Sequence, residues 1–287
     1  MTEPPPDART TQPATRADET SASAGAPLPF ADAYPLLVAA AGRGDTAATI
    51  ALAKGLKFCT KRPIAEAVWV RLKQEVEQLA DDGPGKDPQW QARLDYAIGA
   101  TDRARERLDR VDQQCLALPA DALDRRWGYQ LAAARTGDAD SIYDLLDAPD
   151  IRDAFRKEDR MRIYREEAPR LLEQLIQQGD LRGYQAYVRA GYDELMKLDW
   201  RFHDALSRVL VPDPVRVLAY DIALARSGVE GPFGAGPNHE ALRDRRLDAA
   251  QVIAAESLAQ QLLPSVTDAV SRWRAAHPPA WASEGPG

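Results

Sequence analysis

The chain is poor in the residue types that carry most enzymatic and metal chemistry. Histidine occurs only as His203, His239 and His277, and cysteine only as Cys59 and Cys115. The histidines are far apart, and none stands in a His-Glu-x-x-His or mixed Cys/His spacing, so there is no ligand set for a metal. His203 falls beside the apolar face of an amphipathic run, where a packed or surface histidine is the ordinary reading rather than a catalytic base. Gly83-Pro84-Gly85-Lys86 lacks the length and the Ser/Thr of a phosphate-binding loop and reads as a turn. No catalytic, metal-binding or cofactor-binding residue is assigned, and no cofactor is expected.

Long apolar runs are also missing. No stretch approaches the roughly 18 consecutive apolar residues that span a bilayer, so no membrane span is expected. The N-terminus shows no basic segment followed by an apolar core, which as written points to a soluble cytoplasmic protein. The first residues do resemble the linker that follows an export signal or anchor. A periplasmic or envelope-associated location is the alternative if such a signal is missing from this N-terminus. Lysine is scarce, and arginine carries nearly all the positive charge, a bias that suits a GC-rich bacterial genome. The net charge is -7 and basic residues are interleaved with acidic ones, so the basic footprint of a nucleic-acid partner is absent.

With two cysteines, two readings stand. Two small buried thiols are the commoner arrangement in a reducing compartment; a Cys59–Cys115 disulfide joining the ends of two helical segments is the other.

What is abundant is helix former. Ala, Leu, Arg, Asp, Glu and Gln dominate, and alternating strand patterns are nearly absent. Residues 1–29, rich in Pro, Thr and Ala, lack apolar periodicity and are expected to be disordered, as is the tail 278–287. Residues 30–277 form the helical domain, interrupted by a Gly/Pro loop at 231–237. Pro169 is expected to kink or split the run from Ile163 to Ile176. Leu195, Leu198, Phe202, Leu206 and Val209 predict a helix ending before Pro212, and the last helices are expected over 239–263 and 264–276.

A Gly-Asp step recurs between apolar helical runs: Gly44-Asp45, Gly137-Asp138 and Gly179-Asp180. Gly can end a helix in the left-handed conformation, and Asp can cap the next one. The pattern predicts an all-α fold, an α-solenoid of stacked antiparallel helical hairpins. The three steps are separated by 93 and 42 residues, and a weaker ending at Gly228 lies 49 further on. The 42–49 spacing suits a two-helix repeat. The 93-residue gap has room for two units with a degenerate turn near Asp82-Gly83.

The segment Trp127-Gly128-Tyr129-Gln130-Leu131-Ala132-Ala133-Ala134-Arg135-Thr136-Gly137-Asp138, followed by Ala139, Ile142, Leu145 and Leu146, resembles the Sel1-like branch of tetratricopeptide-type repeats. It has that pattern's aromatic residue, small Ala-Ala pair, Gly-Asp turn and following apolar helix. Residues 39–52 and 177–184 match more weakly. Unit lengths vary, the Gly-Tyr turn common between Sel1-like units is not evident, and the last third departs from the pattern, which makes the repeats degenerate. The resemblance implies a binding scaffold of the kind found in bacterial envelope or signalling complexes.

Trp127, Tyr129, Tyr143, Tyr184, Tyr187 and Tyr192 cluster around the central repeats. Hairpin core packing is the plainer role for them; anchors for a bound peptide are the sharper one. Glu166 and Glu167, just before Pro169, are the carboxylates that an all-α glycan hydrolase or lytic transglycosylase would use as a buried acid, although that family's surrounding motif is absent. The reading is a non-enzymatic helical scaffold with a protein or peptide partner. The alternatives are that cell-wall hydrolase and a structural module of an envelope complex.

Overall fold

The computed structural model describes residues 28–83, 89–147, 158–196, 205–229 and 246–278. Nearly all of the N-terminal segment and C-terminal tail, the 231–237 loop, His203 and His239 lie outside them. Every regular element among the described residues is helical: α1 (Phe30–Gly42), α2 (Thr46–Cys59), α3 (Arg62–Asp82), α4 (Trp90–Cys115), a 3-10 turn at Leu123–Arg125, α5 (Arg126–Arg135), α6 (Ala139–Leu146), α7 (Glu158–Gln177), α8 (Leu181–Met196), α9 (Pro214–Arg226) and α10 (Ala249–Ala276). None of these helices is long and apolar enough to cross a membrane.

The Gly-Asp steps are where one helix stops and the next begins. Gly44, Gly137, Gly179 and Gly228 all have positive φ, between 67° and 90°, which costs a residue with a Cβ but not glycine. After three of them the chain closes a six-to-one backbone hydrogen bond: Asp45 N to Ala40 O, Asp180 N to Leu175 O and Val229 N to Leu224 O. The aspartates then start the next helix. Asp45 accepts from Ala48 N at 3.0 Å, and Asp138 from Ser141 N at 2.9 Å. Asp180 accepts from Arg182 N at 2.9 Å. Helix α9 opens with an Asp213 cap and Pro214, and α10 with a capping box of Asp248 and Gln251.

Helices mostly pack on their chain neighbours: α1 on α2, α3 on α4, α5 on α6, α6 on α7, α7 on α8, α8 on α9 and α9 on α10. The most extensive packing between helices that are not chain neighbours is that of α2 on α5 across the intervening pair. The long gap between Gly44 and Gly137 therefore does not hold two successive units side by side. It holds one step plus a hairpin, α3–α4, set beside the row; without 62–115 the two turns would be 39 residues apart, close to the 42 that follow.

The main core runs from α5 to α10, built on Ile142, Leu145, Leu171, Leu172, Leu175, Leu206, Leu218 and Leu224 among others. Each such side chain contributes about 1.5–3 kcal/mol by leaving water. A smaller cluster of Tyr34, Leu52, Leu56 and Ala122 joins α1 and α2 to the segment before α5. Hairpin α3–α4 buries little. Ala65, Leu79, Ala97, Ala104, Leu108, Val111 and Cys115 are its buried residues, and half of the apolar ones are alanine.

Three sequence expectations change. Of the kink or split expected at Pro169, the split does not occur, since α7 runs unbroken from Glu158 to Gln177. Pro264 likewise lies inside α10, where two helices were expected. In both cases the carbonyl that proline leaves without a donor belongs to an exposed residue, Arg165 or Gln260, on the side that water can reach. Third, Leu195 belongs to α8, residues 197–204 lie outside the described residues, and Ala205–Val209 form turns rather than the end of an amphipathic helix.

Candidate functional site

The turns and first helical residues of successive hairpins meet along one edge, and charge pairs tie them together. Lys54 of α2 reaches Asp140 of α6 at 3.0 Å, and Lys57 reaches Asp144 at 2.6 Å. Arg182, at the start of α8, bonds Asp180 at 2.7 Å and Asp140 at 2.9 Å, and its guanidinium lies 5.1 Å from the Tyr143 ring. The hydrogen bond from Lys54, then that from Arg182, holds the Asp140 carboxyl below its usual range. Asp180, its nearest anion, raises the pKa of Arg182 further, against the opposing effect of burial.

Three of the pairs between hairpins share a spacing, while Arg135 and Glu167 are 32 residues apart and Lys54 and Asp140 are 86. Asp140 and Arg182 are 42 residues apart, as are Asp147 and Arg189, whose side chains meet at 3.3 Å. Glu173 and Arg216 are 43 apart and meet at 2.7 Å. The turn carbonyls are taken up in the same manner: Gln178 donates to Gly137 O at 2.9 Å, 41 residues away, and Arg272 to Gly179 O at 3.0 Å. Next to Gly179 a cavity of about 320 Å³ opens, lined by Asp140, Asp180, Arg182, Arg272, Trp273 and His277. Trp273 and His277 stack there at 4.8 Å. Sequence reasoning passed over these arginines. The signal for one pair was available: Asp140 and Arg182 each stand two residues after a Gly-Asp aspartate.

The six aromatic candidates fall into two groups. Tyr184, Tyr187 and Tyr192 are buried within α8, with Tyr192 only 1% exposed. Tyr184 and Tyr187 pack edge-on against Tyr220 at 5.2 and 5.4 Å, and Arg216 lies over both Tyr187 and Tyr220. The Tyr192 hydroxyl donates to Asp221 Oδ2 at 2.7 Å; burial, then the Asp221 charge, pushes the phenol pKa up. These three rings are held between helices and present no face to a partner. Trp127, Tyr129 and Tyr143 are half-buried. Trp127 leans on Tyr164 at 6.3 Å, and Tyr129 packs on the small α1–α2 cluster.

The two glutamates are poorly suited to donate a proton. Glu167 accepts from Arg170 at 2.7 Å and from Arg135 at 2.6 Å. The Arg170 hydrogen bond, with the Arg135 one after it, outweighs burial and lowers its pKa, where a general acid needs it raised. Glu166 is exposed and pairs with Arg162 at 3.4 Å.

Cys59 and Cys115 are joined as a disulfide, with Cα atoms 5.5 Å apart. They are the last residues of α2 and α4, so the bond closes the base of the α3–α4 hairpin. No group of His, Cys, Asp and Glu able to hold a metal ion occurs among the described residues. In comparison with known proteins, no family model matches the chain, and no curated protein or solved structure does.

Proposed function

We propose that this chain is a non-enzymatic scaffold: a short α-solenoid of degenerate Sel1-like or tetratricopeptide-type hairpins that binds a protein or peptide. The observation that carries the reading is the register of the cross-hairpin pairs. Asp140–Arg182 and Asp147–Arg189 are separated by 42 residues, and Glu173–Arg216 by 43. The Gly137 and Gly179 turns are spaced by the same 42. Pairing of equivalent positions in successive units is what a one-dimensional stack produces. In such a stack affinity resides in a few anchors on an extended surface. The hydrolase alternative gains nothing from Glu166 and Glu167, one exposed and the other held ionised.

The envelope-module reading has one observation in its favour. A disulfide persists in an oxidising compartment and is rare in a reducing one. Crosslinking in the native cell, with and without residues 1–29, followed by mapping of the crosslinked positions, tests both readings. The scaffold reading expects crosslinks to polypeptide that converge on one contiguous surface of 30–277. Recovery of no crosslinked polypeptide refutes it.

A further inference from the structure

Helices α3 and α4, with Phe58 of α2, line a groove of about 410 Å³. Its floor is apolar: Phe58, Ile64, Ala65, Val68, Ala104 and Val111. Ile64 is 66% exposed, which is unusual for a large aliphatic side chain with apolar neighbours. Three cations line the same groove, Lys61, Arg107 and Arg110. None of them has an ion pair among the described residues. Of the carboxylates on these walls, Asp112 pairs with Arg62 at 2.7 Å, Asp109 with Arg105 at 2.8 Å and Glu66 with Arg62 at 3.2 Å, which leaves the exposed Glu106, next to Arg107 in sequence, as the one carboxylate set against three groove cations. On a chain of net charge -7, this groove is a local positive, apolar site.

The spacing of its walls defines what fits. Lys61, Ile64, Ala65 and Val68 stand at i, i+3, i+4 and i+7, and Ala104, Arg107 and Val111 form the facing stripe. Two such ridges accept the apolar face of a third helix over about two turns, roughly 10 Å. We infer that the α3–α4 groove docks an acidic amphipathic helix of a partner protein, its aliphatic anchors on Ile64, Val68 and Val111 and its carboxylates on Lys61, Arg107 and Arg110. This rests on the scaffold reading and names the site and the chemistry of the partner. The charge of the groove selects the sign of the flanking residues, and its apolar floor distinguishes the occupant from a purely acidic tail.

The experiment uses the full-length oxidised protein and a fluorescent 18-residue peptide with leucines at i, i+4 and i+7 flanked by glutamates. Three comparators accompany it: a scrambled peptide, a lysine-for-glutamate peptide and anionic phospholipid vesicles. The amphipathic acidic peptide binds, and the scrambled and lysine peptides do not. Affinity falls about tenfold or more in Arg107→Glu/Arg110→Glu and in Ile64→Asp, and is unchanged in Arg43→Glu on the α1–α2 turn. Ile64, Arg107 and Arg110 are outside the packed core, and circular dichroism of the variants checks that they stay folded. Binding that ignores the peptide's order, survives both groove variants, or goes to the vesicles instead overturns the proposal. Native-cell crosslinks that converge on another surface defeat this groove and leave the scaffold reading standing; absence of any polypeptide crosslink defeats both.

Discussion

Replacing both cysteines with alanine should loosen one part of the molecule and spare the rest. The bond spans a sequence separation of 56. Chain-entropy arguments value closure of such a loop at about 4 kcal/mol, and native disulfides deliver roughly 2–4. The hairpin it closes has little else to hold it. Leu79, Leu108 and Val111 are its large buried side chains besides the disulfide, and its contacts with α1 and α2 are few, among them the hydrogen bond from Phe30 N to the Gln114 side chain. A two-helix hairpin with so thin a core is marginal without a covalent closure. Alanine is the right replacement, because Cys59 and Cys115 are buried and serine would leave a hydroxyl without water. In Cys59→Ala/Cys115→Ala, hydrogen exchange followed by mass spectrometry should show protection within 62–115 falling roughly 30-fold to several hundredfold, the equivalent of 2–4 kcal/mol. Protection in α7, α8 and α9 should stay at the wild-type level. Equal loss across all of these helices would refute the reasoning, because α3–α4 would then be integral to the core. Unchanged protection in 62–115 would refute it from the other side.

Three further outcomes follow from the same contacts. Tyr34 and Tyr192 are both buried, but the Tyr34 hydroxyl has no hydrogen-bond partner among the described residues, while Tyr192 donates to the carboxylate of Asp221. Tyr34→Phe should therefore stabilise by about 1 kcal/mol and Tyr192→Phe destabilise by about 2 kcal/mol, opposite signs for one substitution in urea titrations. Glu167 has its folded pKa lowered, so its contribution is complete above the ordinary glutamate value and is lost as pH falls through the folded one. Glu167→Gln should flatten the fall in melting temperature between about pH 5 and pH 3, and an identical acid limb in both proteins would contradict that. Gly44→Ala meets open space but keeps φ at 89°, so it should cost about 1–2 kcal/mol of backbone strain in the same titrations, with no packing change.

The turns were readable because their chemistry is local. A left-handed glycine followed by a capping aspartate needs only neighbouring residues, and Gly44, Gly137 and Gly179 form such turns. The place of α3–α4 was not readable. An inserted hairpin has the same apolar periodicity as a stacked one, and only the contact of α2 with α5 tells them apart. Pro169 and Pro264 misled for a related reason: a proline's cost depends on whether the unmatched carbonyl meets water, which sequence does not record. At the candidate site, Tyr184, Tyr187 and Tyr192 stood out as aromatic, but burial is decided by the helices that close over them. The α3–α4 groove escaped notice altogether. Lys61, Arg107 and Arg110 are ordinary solvated charges in one dimension, 46 and 49 positions apart, and converge only when the two helices of the hairpin are laid side by side.

The most direct test is to remove the hairpin. The Cα atoms of Cys59 and Cys115 are 5.5 Å apart, so deleting Lys61–Gln113 and joining Thr60 to Gln114 through two glycines spans a gap the linker can cover. Helical content by circular dichroism, cooperative thermal unfolding and binding of the acidic amphipathic peptide are read together on the shortened protein. The account predicts a folded, cooperatively melting protein that no longer binds the peptide. A shortened protein that fails to fold, or one that folds and still binds, would contradict it.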